Sequence, residues 1–171
     1  MSISDIDPIM LKFNPIEEIE LFLLSTDWTS DRIGENEIVI GIKGNYCEYN
    51  TTVHWNPNQD ILHFALSFNV GLSKDPLTSQ KEMSVLKLLA SLNETMAMGH
   101  YDLWREENSI VWRYGQIFSE EDCHHDYFVR IFRLAIDTCE RNYSAFQFVL
   151  WAGQSPHEAI QNIMFETVGE A

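Results

Sequence analysis

The segment that most constrains this fold is Asp126–Gly153, DYFVRIFRLAIDTCERNYSAFQFVLWAG. Its apolar residues Phe128, Ile131, Phe132, Ala135, Ile136 and Cys139 have the spacing of one buried helical stripe. The other side carries Asp126/Arg130, Arg133/Asp137 and Asp137/Arg141, opposite charges four residues apart that can support a helix surface. Ala145, Phe146, Phe148, Val149, Leu150 and Trp151 follow as an apolar run dense enough to anchor a core. A stripe this long must be buried against another layer.

Between Trp28 and Val70 the period changes to two, which marks strands. Ile38, Ile40 and Ile42 alternate with Val39, Gly41 and Lys43 after a turn at Gly34-Glu35-Asn36-Glu37. A second strand is expected from about Tyr46 to Trp55. Asn56-Pro57-Asn58-Gln59-Asp60 is a turn by composition. A third strand puts Leu62, Phe64, Leu66 and Phe68 on one face and His63, Ala65, Ser67 and Asn69 on the other. Short turns between consecutive strands favour an antiparallel meander.

The remaining elements carry local start and stop signals. Asn14-Pro15-Ile16-Glu17 reads as cap, first helical proline and capping-box acid, opening a short helix that ends near Ser25. Ser79 with Glu82 predicts a second capping box, followed by a stripe of Val85, Leu88, Leu89, Leu92 and Met96, with Gly99 as the stop. A hairpin is expected at Tyr101–Arg105 and Ile110–Tyr114, with Ile110, Trp112 and Tyr114 sharing a face. The long helix should open near Asp122 or later, and Ser155-Pro156-His157-Glu158 starts a terminal helix.

The expectation is one α+β domain over residues 1–171, its first 13 residues loose. An antiparallel five-stranded sheet, a three-strand meander plus a hairpin, carries helices on one face in the order α-βββ-α-ββ-α, with a C-terminal helical extension. A chain of this length buries roughly 70% of the surface its unfolded form exposes.

Charge narrows the function classes. Eleven Lys and Arg stand against 26 Asp and Glu, a formal net charge of −15. A basic face for phosphates cannot be assembled, so nucleic acid and anionic membrane are poor partners, and a basic or amphipathic protein surface is a better one. Solubility alone is the other reading of the charge. Cys47, Cys123 and Cys139 lack a framework spacing, which fits a reducing compartment. No apolar run approaches 18 residues, and MSISDIDPIMLKF lacks the pattern of a signal peptide, so a cytoplasmic location is expected.

Leu92–Tyr114, LNETMAMGHYDLWREENSIVWRY, resembles the YbjN-type family, whose members are labelled bacterial sensory transduction regulators. The resemblance continues in Cys139–Ala159, CERNYSAFQFVLWAGQSPHEA, and in the ending ETVGEA, which are similar to α-proteobacterial members. GNYCEYNTTVHWNPNQDILHFALSF upstream also fits. The resemblance implies a fold similar to type III secretion chaperones, which are small acidic dimers that bind protein segments. It brings no catalytic motif.

Candidate chemistry is sparse. Cys123-His124-His125-Asp126 groups metal-type ligands, but neighbouring helical residues point about 100° apart, so the start of a helix is the expected role and no metal or other cofactor is assigned. No G-x-S-x-G elbow occurs, and Gly41-x-x-Gly44 is too short for a phosphate loop, so no enzyme is expected and no catalytic residue is assigned. His54 and His63 can face each other across their hairpin. His100, Asp102 and Trp104 alternate on one strand face, as a polar patch with an aromatic platform for a partner chain or as a His–Asp pair orienting a corner. Trp112 is a further possible partner contact. Leu88, Leu89 and Leu92 are possible contacts of a homodimer. The leading expectation is a non-enzymatic, chaperone-like regulatory module that binds a protein segment. The alternative is a small-molecule sensor with a pocket under the aromatic C-terminal helices.

Overall fold

The computed structural model describes residues 13–71 and 77–169, with side chains as far as Phe165 in the last helix. The elements run α1 (Pro15–Leu23), β1 (Thr29–Gly34), β2 (Glu37–Lys43), β3 (Glu48–Asn56), β4 (Ile61–Phe68), α2 (Ser79–Glu94), β5 (His100–Trp104), β6 (Ser109–Ile117), α3 (His125–Leu150) and α4 (Pro156–Gly169). Six strands form one open antiparallel sheet in the order β1-β2-β3-β4-β6-β5. The fold is α+β, as expected, but the sheet has six strands rather than five.

The additional strand is β1, TSDRIG, which is exposed along nearly its whole length. An edge strand with little burial on either face needs no apolar alternation, so period-two reading misses it. Polar contacts hold it instead. Arg32 pairs with Glu20 of α1 at 2.6 Å and donates to the carbonyls of Gly34 and Glu35.

Local chemistry sets most of the other boundaries. Asn14 caps α1 by accepting the Ile16 N–H at 3.0 Å, with Pro15 first in the helix. The α2 cap is Thr78, one residue before the expected Ser79, and it accepts the Lys81 N–H. That helix ends at Glu94, ahead of Gly99. Ser155 and Glu158 form the expected reciprocal contacts at the start of α4. Asp60 and Asn108 adopt positive φ in the two expected turns, a conformation these residue types tolerate.

One face of the sheet carries the core. Ile38, Ile40, Val53, Leu62, Phe64, Leu66, Phe68, Tyr101 and Trp112 are buried there, in register across the strands. The α3 stripe meets this face as expected. Phe132 stacks on Phe22 of α1 at 5.5 Å and packs edge-on against Phe64, and Phe146 packs edge-on against Phe68 and Tyr101. None of the opposite-charge pairs expected along α3 lies within ion-pair distance. Among the described residues the ion pairs are Arg32–Glu20, Arg105–Glu82 and Arg113–Asp102. The loose N-terminus expected over residues 1–13 lies outside the described residues except for Phe13, which stacks on Phe118 and meets Trp55 edge-on.

Candidate functional site

The second face of the sheet is the candidate site. Strand alternation sends its residues away from the helices, and the register arranges them in rows. One row reads Asp31, Val39, Thr52, Ala65, Arg113, His100, and the next Glu37, His54, His63, Gly115. A third reads Thr29, Gly41, Asn50, Ser67, Val111, Asp102. From Asn50 onward in β3, and throughout β4 and β6, no residue on this face is acidic. In a chain with 26 Asp and Glu, that leaves a neutral-to-basic centre inside a rim of Asp31, Glu37, Glu48 and Asp102.

His54 and His63 are direct cross-strand partners, as expected, and His100 lies opposite Arg113. His63 is held below the usual histidine value, first by burial and then by Arg113, His54 and His100 nearby. Desolvation and positive neighbours both disfavour its protonated form. Asp102 does not orient His100. Its carboxylate accepts the Leu103 N–H at 2.8 Å and pairs with Arg113 Nε at 3.4 Å, without hydrogen-bond geometry.

His100, Asp102 and Trp104 therefore share the open face, and Trp104 is 43% exposed. Trp112 does not join them. It lies in the core at 0% exposure, stacked on Tyr114. Gly99, at φ +73°, is pressed so closely onto the Trp112 ring that a Cβ there would be 2.4 Å from it. Leu88, Leu89 and Leu92 are likewise buried inside the single chain.

A side chain closes much of the β5 edge. Asn93, near the end of α2, accepts the Tyr101 N–H at 2.7 Å and donates to the Tyr101 carbonyl at 3.0 Å. Its amide thus occupies the positions that the backbone of a next strand would take, and the Leu103 N–H is taken by Asp102. At the other edge, a register irregularity between Arg32 and Gly34 interrupts β1. Both edges are thus blunted against strand addition.

A separate groove of about 520 Å³ lies where the end of α2, the middle of α3 and α4 meet. Its walls are Leu92, Met96, Ala97, Met98, Leu134, Ile160, Ile163 and Met164, with Thr95, Thr138, Arg141 and Asn142 as polar lining. It lies beneath the C-terminal helix, but none of Phe146, Phe148 and Trp151 lines it. Phe146 is core. Trp151 is 64% exposed, donates to the Val70 carbonyl and carries Lys81 over its ring.

The Cys123-His124-His125-Asp126 run does open a helix, with His124 as the N-cap residue of α3. Burial, followed by neighbouring carboxylates, pushes the Cys123 thiol up to about 11. Cys47 is also pushed up to about 11, again chiefly by burial. Both stay protonated near neutral pH, which is not the state of an activated nucleophile. No helix among the described residues is long and apolar enough to cross a membrane.

The family model for YbjN, described as "putative bacterial sensory transduction regulator", matches residues 15–148 of the chain. No curated protein and no solved structure matches it.

Proposed function

From the premise that the chain belongs to the YbjN family, we propose that it is a regulatory, non-catalytic module that receives a protein segment on the open face of its sheet. The observation that carries this reading is the acid-free centre of that face in a chain of net charge −15. Over most of the molecule, carboxylates would need partners or strong hydration. Here a polypeptide can lie on Thr52, Ala65 and Ser67 without desolvating a carboxylate. Trp104 supplies an aromatic anchor at one side, and the acidic rim suits a segment that is apolar or hydroxylated in its middle and basic at its ends. This use of the sheet is chaperone-like, and it allows a homodimer, since two copies could meet there without opposing carboxylates.

The test is comparative capture from the native cell extract with wild-type protein, Ala65→Arg and Arg133→Ala. Ala65→Arg projects a bulky charge from the centre of the face, whereas Arg133 is on the outer side of α3. One partner retained by wild type and Arg133→Ala but lost by Ala65→Arg supports the reading. Retention by all three contradicts it. A second reading, small-molecule sensing, is favoured by the groove beneath α4.

A further inference from the structure

The groove between α2, α3 and α4 differs from two other cavities of the described residues in the sign of its charge. The cavity between α1 and α3 has both Arg133 and Asp137 in its lining. The one beside the start of α3 sets Arg130 and His124 among Glu121, Asp122 and Asp126. Among the described residues, the lining of the groove beneath α4 holds Arg141 and no carboxylate. Arg141 also has no ion pair among the described residues.

We propose that this groove binds a monocarboxylate with an apolar tail, its carboxylate on Arg141 and its tail along the methionines. The proposal rests on the small-molecule reading above and is independent of the sheet face. The volume, about 520 Å³, lies in the range of small-molecule sites. Met96, Met98 and Met164 give walls that adapt to an unbranched chain, and Leu92, Leu134 and Ile160 extend the apolar surface. Two of the other polar lining groups are already committed. Thr95 donates its hydroxyl to the Leu92 carbonyl, and the Asn142 amide donates to Tyr101 Oη and the Thr138 carbonyl. The Thr138 hydroxyl and the Arg141 guanidinium remain, and of the two the guanidinium carries the charge and the fork that match a carboxylate. A cationic amphiphile would instead meet Arg141 as a like charge.

The test is calorimetric titration of the full chain with decanoate, decanol and decylamine below their micellar concentrations. The proposal expects decanoate to bind roughly tenfold or more tighter than decanol, with decylamine weakest, the margin of one charge-assisted contact. Arg141→Gln, at an exposed position, should bring decanoate down to the level of decanol while leaving decanol unchanged. Ala97→Trp, at the exposed mouth of the groove, should weaken both. Equal binding of decanoate and decanol, or indifference of decanoate to Arg141→Gln, overturns the proposal and leaves the sensing reading standing. Binding unaffected by Ala97→Trp overturns the placement, and no binding of any of the three at millimolar concentration overturns both.

Discussion

The two faces of this sheet are built from the same strands, residue by residue in alternation, and they have opposite characters. The helix-covered face gathers Phe64, Phe68, Tyr101 and Trp112 into one packed cluster with Phe132 and Phe146. The other gathers small, hydroxylated and imidazole side chains, and no described helix covers it. The difference separates two demands. Burial sets stability on one side, and on the other the placement of charge sets what can approach.

The sharpest way to break this comparison is to truncate one tryptophan on each face. Trp112→Ala should cost about 3–5 kcal/mol, as large aromatic truncations in a core do. Trp104→Ala should change stability by less than about 1 kcal/mol, because its ring is half exposed. Denaturant unfolding of both variants checks the pair. Similar losses would mean that the open face is structural too.

Two glycines offer the next contrast. Gly99→Ala combines a positive φ with a collision against the Trp112 ring and should cost about 2–4 kcal/mol. Gly115→Ala meets the His63 ring at 3.4 Å, Ile61 Cγ2 at 3.9 Å and the Leu62 carbonyl at 4.0 Å, all ordinary contacts, and should be neutral or stabilising by about 0.5 kcal/mol. Thermal unfolding of the two proteins reads the difference directly.

Asn93→Leu tests the closed edge. It leaves the Tyr101 N–H and carbonyl without their side-chain partner and should cost about 1–3 kcal/mol. The opened strand should also associate, visible as a concentration-dependent increase in mass by light scattering. A variant that remains unchanged in mass at high concentration would show that Asn93 is not what guards β5.

The smallest effect expected is the pH response of the open face. His63 has a depressed pKa in the folded protein, so the unfolded chain takes up its proton first as pH falls below about 6.5. Above that value the group contributes no slope. Below it, stability should decline until the folded His63 also protonates. His63→Gln should flatten this part of a stability profile measured between pH 7.5 and 5, and an unchanged slope would assign the response to other groups.

Much of the architecture was legible because burial writes a period into the sequence. The alternation in β2 and β4 names its buried residues correctly, the α3 stripe does so except for the half-buried Ile136, and the Asn14-Pro15 and Ser155-Pro156 starts follow from hydrogen-bonding chemistry alone. β1 was not legible, since an exposed edge strand owes its place to its neighbour and to Arg32 rather than to apolar spacing. The site was legible in part. His100, Asp102, Trp104 and the His54–His63 pair were placed on faces by alternation, but alternation does not say which face of β6 the helices cover, and Trp112 went to the core. Arg113 in the face's centre and Asn93 at its edge depend on strand order and on helix-to-strand contact, which no local pattern encodes.

The claim at the centre of this account is that the acid-free sheet face receives the partner. The most direct measurement is site-specific photocrosslinking in the native cell, with a benzophenone side chain at position 65 in one protein and at position 133 in another. The account predicts a discrete adduct from position 65, at the mass of a partner or of a second copy, and none from position 133. Adducts from position 133 with position 65 silent would contradict it and move the interaction to the helical side of the molecule.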